Sequence, residues 1–118
     1  MKNKKKIILI NKKYIELDSE GYLKYVNDWN PYVGHELAHK EGRKLLSSHW
    51  EIILLLRKFY YKYKISPTMI PLINEIKQIN YKKGNSIYLL KLFTSKTLES
   101  PARIAARIAG LPKPKYCI

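Results

Sequence analysis

Six prolines partition this 118-residue chain and leave few places where regular structure can run. A proline ring fixes φ and removes a backbone donor, so it is tolerated in the first turn of a helix and excluded from its interior. Asn30-Pro31, Ser66-Pro67 and Ser100-Pro101 each set a capping residue beside a proline, and each predicts a helix start. The first helix is expected to stop at Gly42 and the last at Gly110. The third must begin near Thr68, because Pro71 is acceptable only in a first turn. Pro112 and Pro114 alternate with lysine in the terminal run Leu111-Pro112-Lys113-Pro114-Lys115-Tyr116-Cys117-Ile118. That run cannot be helical and predicts an extended arm with a reach of about 3.1 Å per residue.

Ser48-His49-Trp50-Glu51 reads as a capping box that opens a helix ending near Lys64. Its apolar run Ile52 to Leu56 marks it as the candidate central core helix. Ile87 to Phe93 gives a further short helix, between loops at 82–86 and 94–99. Upstream, Ile7 to Ile10, Tyr14 to Leu17 and Tyr22 to Val26 are short β-prone runs separated by turn residues, the pattern of a hairpin or meander. Such a unit is not stable alone and must pack on the helices. The expected fold is α+β and mostly α: a small N-terminal β-hairpin packed on a bundle of about five helices, with an extended flexible C-terminal arm. The length suits one domain over 1–118, with 111–118 as the arm.

The formal charge of +14 suits an anionic partner, but 19 lysines stand against 4 arginines, and Lys, Ile, Asn and Tyr are what A/T-rich codons supply. A functional charge and a compositional one both remain open. A single cysteine gives no disulfide framework. The apolar run after Lys4 to Lys6 is too short for a signal-peptide core, and no segment approaches the ~20 apolar residues of a membrane span. A cytoplasmic protein is expected.

Three constellations could carry chemistry. Cys117 stands behind the Pro-Lys-Pro-Lys segment, where burial is difficult, so a functional thiol competes with the usual fate of a lone cysteine as a small core residue. Lys113 and Lys115 favour its thiolate and the adjacent chain-terminal carboxylate opposes it. His35-Glu36-Leu37-Ala38-His39 matches the H-E-x-x-H zinc pattern with both histidines on one helical face. Leu45 occupies the place of the third histidine of the extended pattern, and His49 falls on the next helix. Partly solvated histidines are the better reading, and no metal is expected. A helix-turn-helix reading of 48–80 lacks the Arg, Asn and Gln cluster that base readout uses. Arg103 and Arg107, at i and i+4 on the last helix, are the best-defined basic pair and candidate partner contacts.

The chain resembles the DsrC/TusE family of sulfur-trafficking proteins. The resemblance lies in Glu20-Gly21-Tyr22-Leu23, Asp28-Trp29-Asn30, Glu41-Gly42, His49-Trp50-Glu51, Ser66-Pro67, Lys83-Gly84-Asn85-Ser86, Tyr88-Leu89 and, most specifically, Ile108-Ala109-Gly110-Leu111-Pro112-Lys113-Pro114 ahead of Cys117. It implies a small helical domain with an N-terminal hairpin and a flexible C-terminal arm. The DsrC branch has a second cysteine in the last helix, where this chain has Ala106. The resemblance therefore implies the single-cysteine branch, which relays persulfide sulfur toward 2-thiolation of the tRNA wobble uridine. Cys117 would accept sulfur from a TusBCD-type donor complex and pass it to an MnmA-type thiouridylase with its tRNA, with residues Gly110, Leu111, Pro112, Lys113, Pro114 and Lys115 as arm and docking segment. No cofactor or membrane is implied, and direct nucleic-acid contact is left open. The chain differs from the family pattern at Ile70, where an arginine is frequent, at Ile104, where a glutamine is, and in a longer 94–99 loop. The alternative function is a basic tRNA-binding or scaffolding module without thiol chemistry.

Overall fold

The structure is a computed structural model and describes residues 6–115. A two-stranded antiparallel hairpin, β1 (Lys6–Ile10) and β2 (Lys13–Leu17), precedes five helices: α1 (Pro31–Lys40), α2 (Ser47–Tyr63), α3 (Met69–Ile79), α4 (Ser86–Leu92) and α5 (Pro101–Ile108). Short 3-10 turns occupy Val26–Asp28 and Tyr81–Lys83.

Asn11 and Lys12 both take positive φ, 51° and 66°, and make the tight two-residue turn whose twist suits a hairpin. Pairing Ile8 with Ile15 and Lys6 with Leu17 puts Ile8, Ile10, Ile15 and Leu17 on one face. That face packs on Val33 and Leu37 of α1. Ile7, Leu9 and Tyr14 point to water on the other.

The third β-prone run, Tyr22 to Val26, adds no strand to the hairpin. Leu23 makes one isolated bridge to Leu17, and the chain then turns into the 3-10 segment. The Asp18 carboxylate accepts hydrogen bonds from the backbone N–H groups of Glu20 and Tyr22, which curls the segment and sends the Tyr22 ring into the core. A buried aromatic outweighs β propensity here.

The helix starts follow the prolines. Asn30 Oδ1 accepts from Val33 N–H, Ser100 Oγ accepts from Arg103 N–H, and Pro71 falls in the first turn of α3. α2 departs from expectation, because its cap is Leu46 rather than Ser48. The His49 ring supplies the bond that satisfies the cap, with Nδ1 accepting from Leu46 N–H at 3.0 Å. The central core helix is α5, not α2. Leu54 is exposed in α2, whereas Ala102, Ile104, Ala105, Ala106 and Ile108 of α5 are all fully buried. Three of these are alanines, whose small side chains leave room for close packing against α5. No helix among the described residues is long and apolar enough to cross a membrane.

Candidate functional site

Cys117 lies outside the described residues; the stalk that carries it is described to Lys115. The candidate site is therefore the set of side chains that fixes where this stalk begins and where it points.

α5 ends in a two-bond C-cap: Leu111 N–H donates to Ala106 O at 3.0 Å and Gly110 N–H to Arg107 O at 3.2 Å. Gly110 has φ +71°, and a Cβ there would stand 2.4 Å from Trp29 Cδ1, so both conformation and space demand glycine. The remaining carbonyls of the last turn are covered by side chains. Trp29 Nε1 donates to Ile108 O at 2.9 Å, and Arg57 Nη1 donates to Ala109 O at 2.6 Å. The Arg57 guanidinium stacks 4.3 Å over the Trp29 ring and also donates to the Tyr61 hydroxyl at 2.8 Å. A cation at a helix C-terminus is favoured by the helix dipole, which reconciles a nearly buried arginine with its setting.

Beyond the cap the stalk is seated on the body. Leu111 is fully buried, the Ser66 hydroxyl donates to Pro112 O, and Pro114 is buried while Pro112 faces outward. Lys113 Nζ lies 3.1 Å from Glu20 Oε2. The described part of the arm, 111–115, forms neither helix nor strand and is held against the domain through Pro114. α3 begins where expected, with Thr68 in the cap position, and Ser66 ahead of it serves the arm.

Arg103 and Arg107, the candidate partner contacts, are both engaged with carboxylates of this chain. Arg107 donates to Glu99 through both terminal nitrogens, at 2.6 and 2.7 Å, and through Nε to Glu41 at 2.7 Å. Burial works against its charge, yet the Glu99 and Glu41 hydrogen bonds outweigh it and raise its pKa above the ordinary arginine value. Hydrogen bonding from Arg107 likewise holds the Glu99 carboxyl below its ordinary value, against an opposing burial effect. Arg103 reaches Glu20 at 3.4 Å and Glu99 at 3.7 Å. Its Nε makes no hydrogen bond, so the Glu99 contact is electrostatic only.

His35 and His39 are exposed on α1. His49 is fully engaged, because Nδ1 accepts from Leu46 N–H and Nε2 therefore carries the proton donated to Leu92 O at 2.8 Å. No group of three or more potential metal ligands occurs among the described residues. Ala106 and Ile104 are fully buried, while Ile70 is 72% exposed.

Arg57 and Ser66 escaped sequence reasoning. The signal for Arg57 was its place on the stripe Ile53, Leu56, Arg57, Tyr60, where a charged residue interrupts buried positions. No local signal pairs Ser66 with Pro112, 46 residues away.

The family model for DsrC-like proteins matches residues 9–118. Sulfurtransferase TusE of Buchnera aphidicola subsp. Acyrthosiphon pisum (strain APS) is 47% identical over 112 residues, covering 94% of this chain and 95% of that protein. Sulfurtransferase TusE of Salmonella typhimurium (strain LT2) is 38% identical over 113 residues, covering 95% of this chain and 100% of its own. Among solved structures, the NMR structure of Allochromatium vinosum DsrC superposes with a TM-score of 0.87 at 38% identity, covering 98% of this chain and 100% of its own. The crystal structure of the oxidized gamma-subunit of the dissimilatory sulfite reductase (DsrC) from Archaeoglobus fulgidus gives 0.81 at 31% identity, covering 96% and 100%. With a hairpin, five helices and a capped helix end that launches the cysteine-bearing arm, the chain belongs to the DsrC/TusE family.

Proposed function

We propose that the protein is a sulfurtransferase that works as a sulfur carrier, with Cys117 as persulfide acceptor. The observation that carries this reading is that the chain's only cysteine stands two residues beyond a proline stalk whose root is clamped by Trp29, Arg57 and Ser66. A clamped root and stiff stalk reduce the ordering that is needed when the thiol enters a partner's site.

With alanine at 106 and no second cysteine, an intramolecular disulfide cannot form, which agrees with the relay chemistry that the single-cysteine branch of the family implies. The Cys117 thiolate attacks the terminal sulfur of a donor persulfide. The donor's S–S bond breaks, its thiolate leaves, and Cys117 becomes the persulfide. A thiolate of the acceptor then attacks that terminal sulfur and Cys117 leaves as thiolate. Each exchange makes one S–S bond and breaks one, so no outside oxidant or reductant enters. The relay reading places a TusBCD-type complex before the protein and an MnmA-type thiouridylase with its tRNA after it, in 2-thiolation of the wobble uridine. Family membership and the sulfurtransferase names of relatives such as that of Buchnera support the sulfur-carrier role. The setting would be cytoplasmic.

Incubation with a persulfidated donor should add one sulfur, about 32 Da by intact mass, to the wild type and not to Cys117→Ser. A protein that gains no sulfur, but binds tRNA in a salt-sensitive way that Cys117→Ser leaves unchanged, is a binding module instead.

A further inference from the structure

Where α2 ends and the stalk passes, Phe59, Ile65, Pro67, Pro71 and Pro112 line an apolar groove of about 390 Å³. Ile65 is 54% exposed, and the Ser66 hydroxyl in the same wall is committed to Pro112 O. Lys64, Lys113 and Lys115 surround the floor, and none of the lining residues is acidic. Lys64 holds a left-handed φ of 61° at the α2 C-cap with its side chain in solvent. Lys115 is two residues from Cys117, so at most about 7 Å of chain separates the groove's rim from the thiol-bearing residue. A protein that takes Cys117 into its own site therefore comes within reach of this groove.

We propose that the groove is the docking surface for the protein that exchanges sulfur with Cys117, and that its occupant is an acidic segment presenting one large apolar side chain to the floor and carboxylates to the three lysines. This rests on the carrier reading above. Charge and shape select a protein over the other occupants. A nucleic acid would want arginines or an aromatic platform for its bases, and the groove offers aliphatic and proline surface with one partly covered phenylalanine. A second copy of this +14 chain would bring its own cations toward the lysine rim.

The test uses Ile65→Glu and Lys64→Glu in the full chain, with far-UV circular dichroism to confirm folding. Both residues are exposed, and Lys64→Glu carries the test alone if Ile65→Glu fails to fold. Sodium polysulfide should load Cys117 equally in wild type and variants, read by intact mass. Affinity for the donor complex should fall on the order of tenfold in each variant, weaken with salt in the wild type, and survive in Cys117→Ser. Undiminished donor binding by the variants overturns the proposal, as does tRNA binding or self-association that the variants abolish. Failure of polysulfide and donor alike to load wild-type Cys117 overturns the carrier reading instead, and donor affinity in Cys117→Ser still judges the groove.

Discussion

Gly110 concentrates the constraints on the arm's root. Its φ of +71° lies where an L side chain is strained, and its missing Cβ makes room for Trp29, whose indole caps Ile108 O. Gly110→Ala meets both obstacles, since Trp29 must move away and the carbonyl it covers loses its donor. A loss of about 2 kcal/mol or more is expected, measured as a lower urea midpoint at unchanged slope. By contrast, a Cβ on Gly42, also at positive φ, would meet nothing within 4 Å. Gly42→Ala should therefore cost about 1 kcal/mol from backbone strain alone, and the difference between the two variants reports the Trp29 contact.

At the scale of elements, Ser66 joins the segment before α3 to the arm. Ser66→Ala leaves Pro112 O without its donor and should lower stability by about 1 kcal/mol, with faster deuterium uptake across 111–115 than in the wild type. Unchanged uptake would mean that burial of Leu111 and Pro114 holds the stalk unaided. This contact also marks the limit of what the sequence discloses. The hairpin, the Asn30-Pro31 and Ser100-Pro101 starts and the Gly110 stop were legible because each is a local rule acting within a few residues. The cap at Leu46 was not, because His49 supplies the acceptor from inside the helix and Ser48 had the better-known chemistry. The β-prone run Tyr22 to Val26 has the same origin: its propensity is local, and Asp18 and the buried Tyr22 ring overrule it. The alternation of proline and lysine ahead of Cys117 is visible in the sequence itself. The clamp of Trp29, Arg57 and Ser66 depends on contacts spanning 46 to 79 residues and has no local signature.

For the whole molecule, Arg103, Arg107, Glu20, Glu41 and Glu99 tie the end of α1, the turn after β2, the 94–99 loop, α5 and the arm's Lys113 into one charged brace. Its pH response has two limbs. Hydrogen bonding from Arg107 holds Glu99 below the ordinary 4.5, so in acid the unfolded chain takes up a proton before the folded one does. The stabilisation is complete above about pH 4.5 and is lost as pH falls through the lower folded value. At the alkaline end, burial raises the Tyr22 hydroxyl above its ordinary 10.0, against the lowering influence of Arg103 and Arg107. The unfolded tyrosine then loses its proton first, so stability is present below about pH 10 and is lost as pH rises through the folded value. Any general change in the charge of this +14 chain over the same range is a background that masks the alkaline limb in the wild type alone. Comparison with variants removes that background. Denaturant midpoints measured from pH 3 to pH 11 should show Glu99→Gln less stable than wild type at pH 7, with the gap closing toward pH 3 and the alkaline limb intact. Tyr22→Phe should flatten only the alkaline limb. If Glu99→Gln keeps the full acid slope, the acid response belongs to other carboxylates and the brace around Arg107 is not what acid breaks.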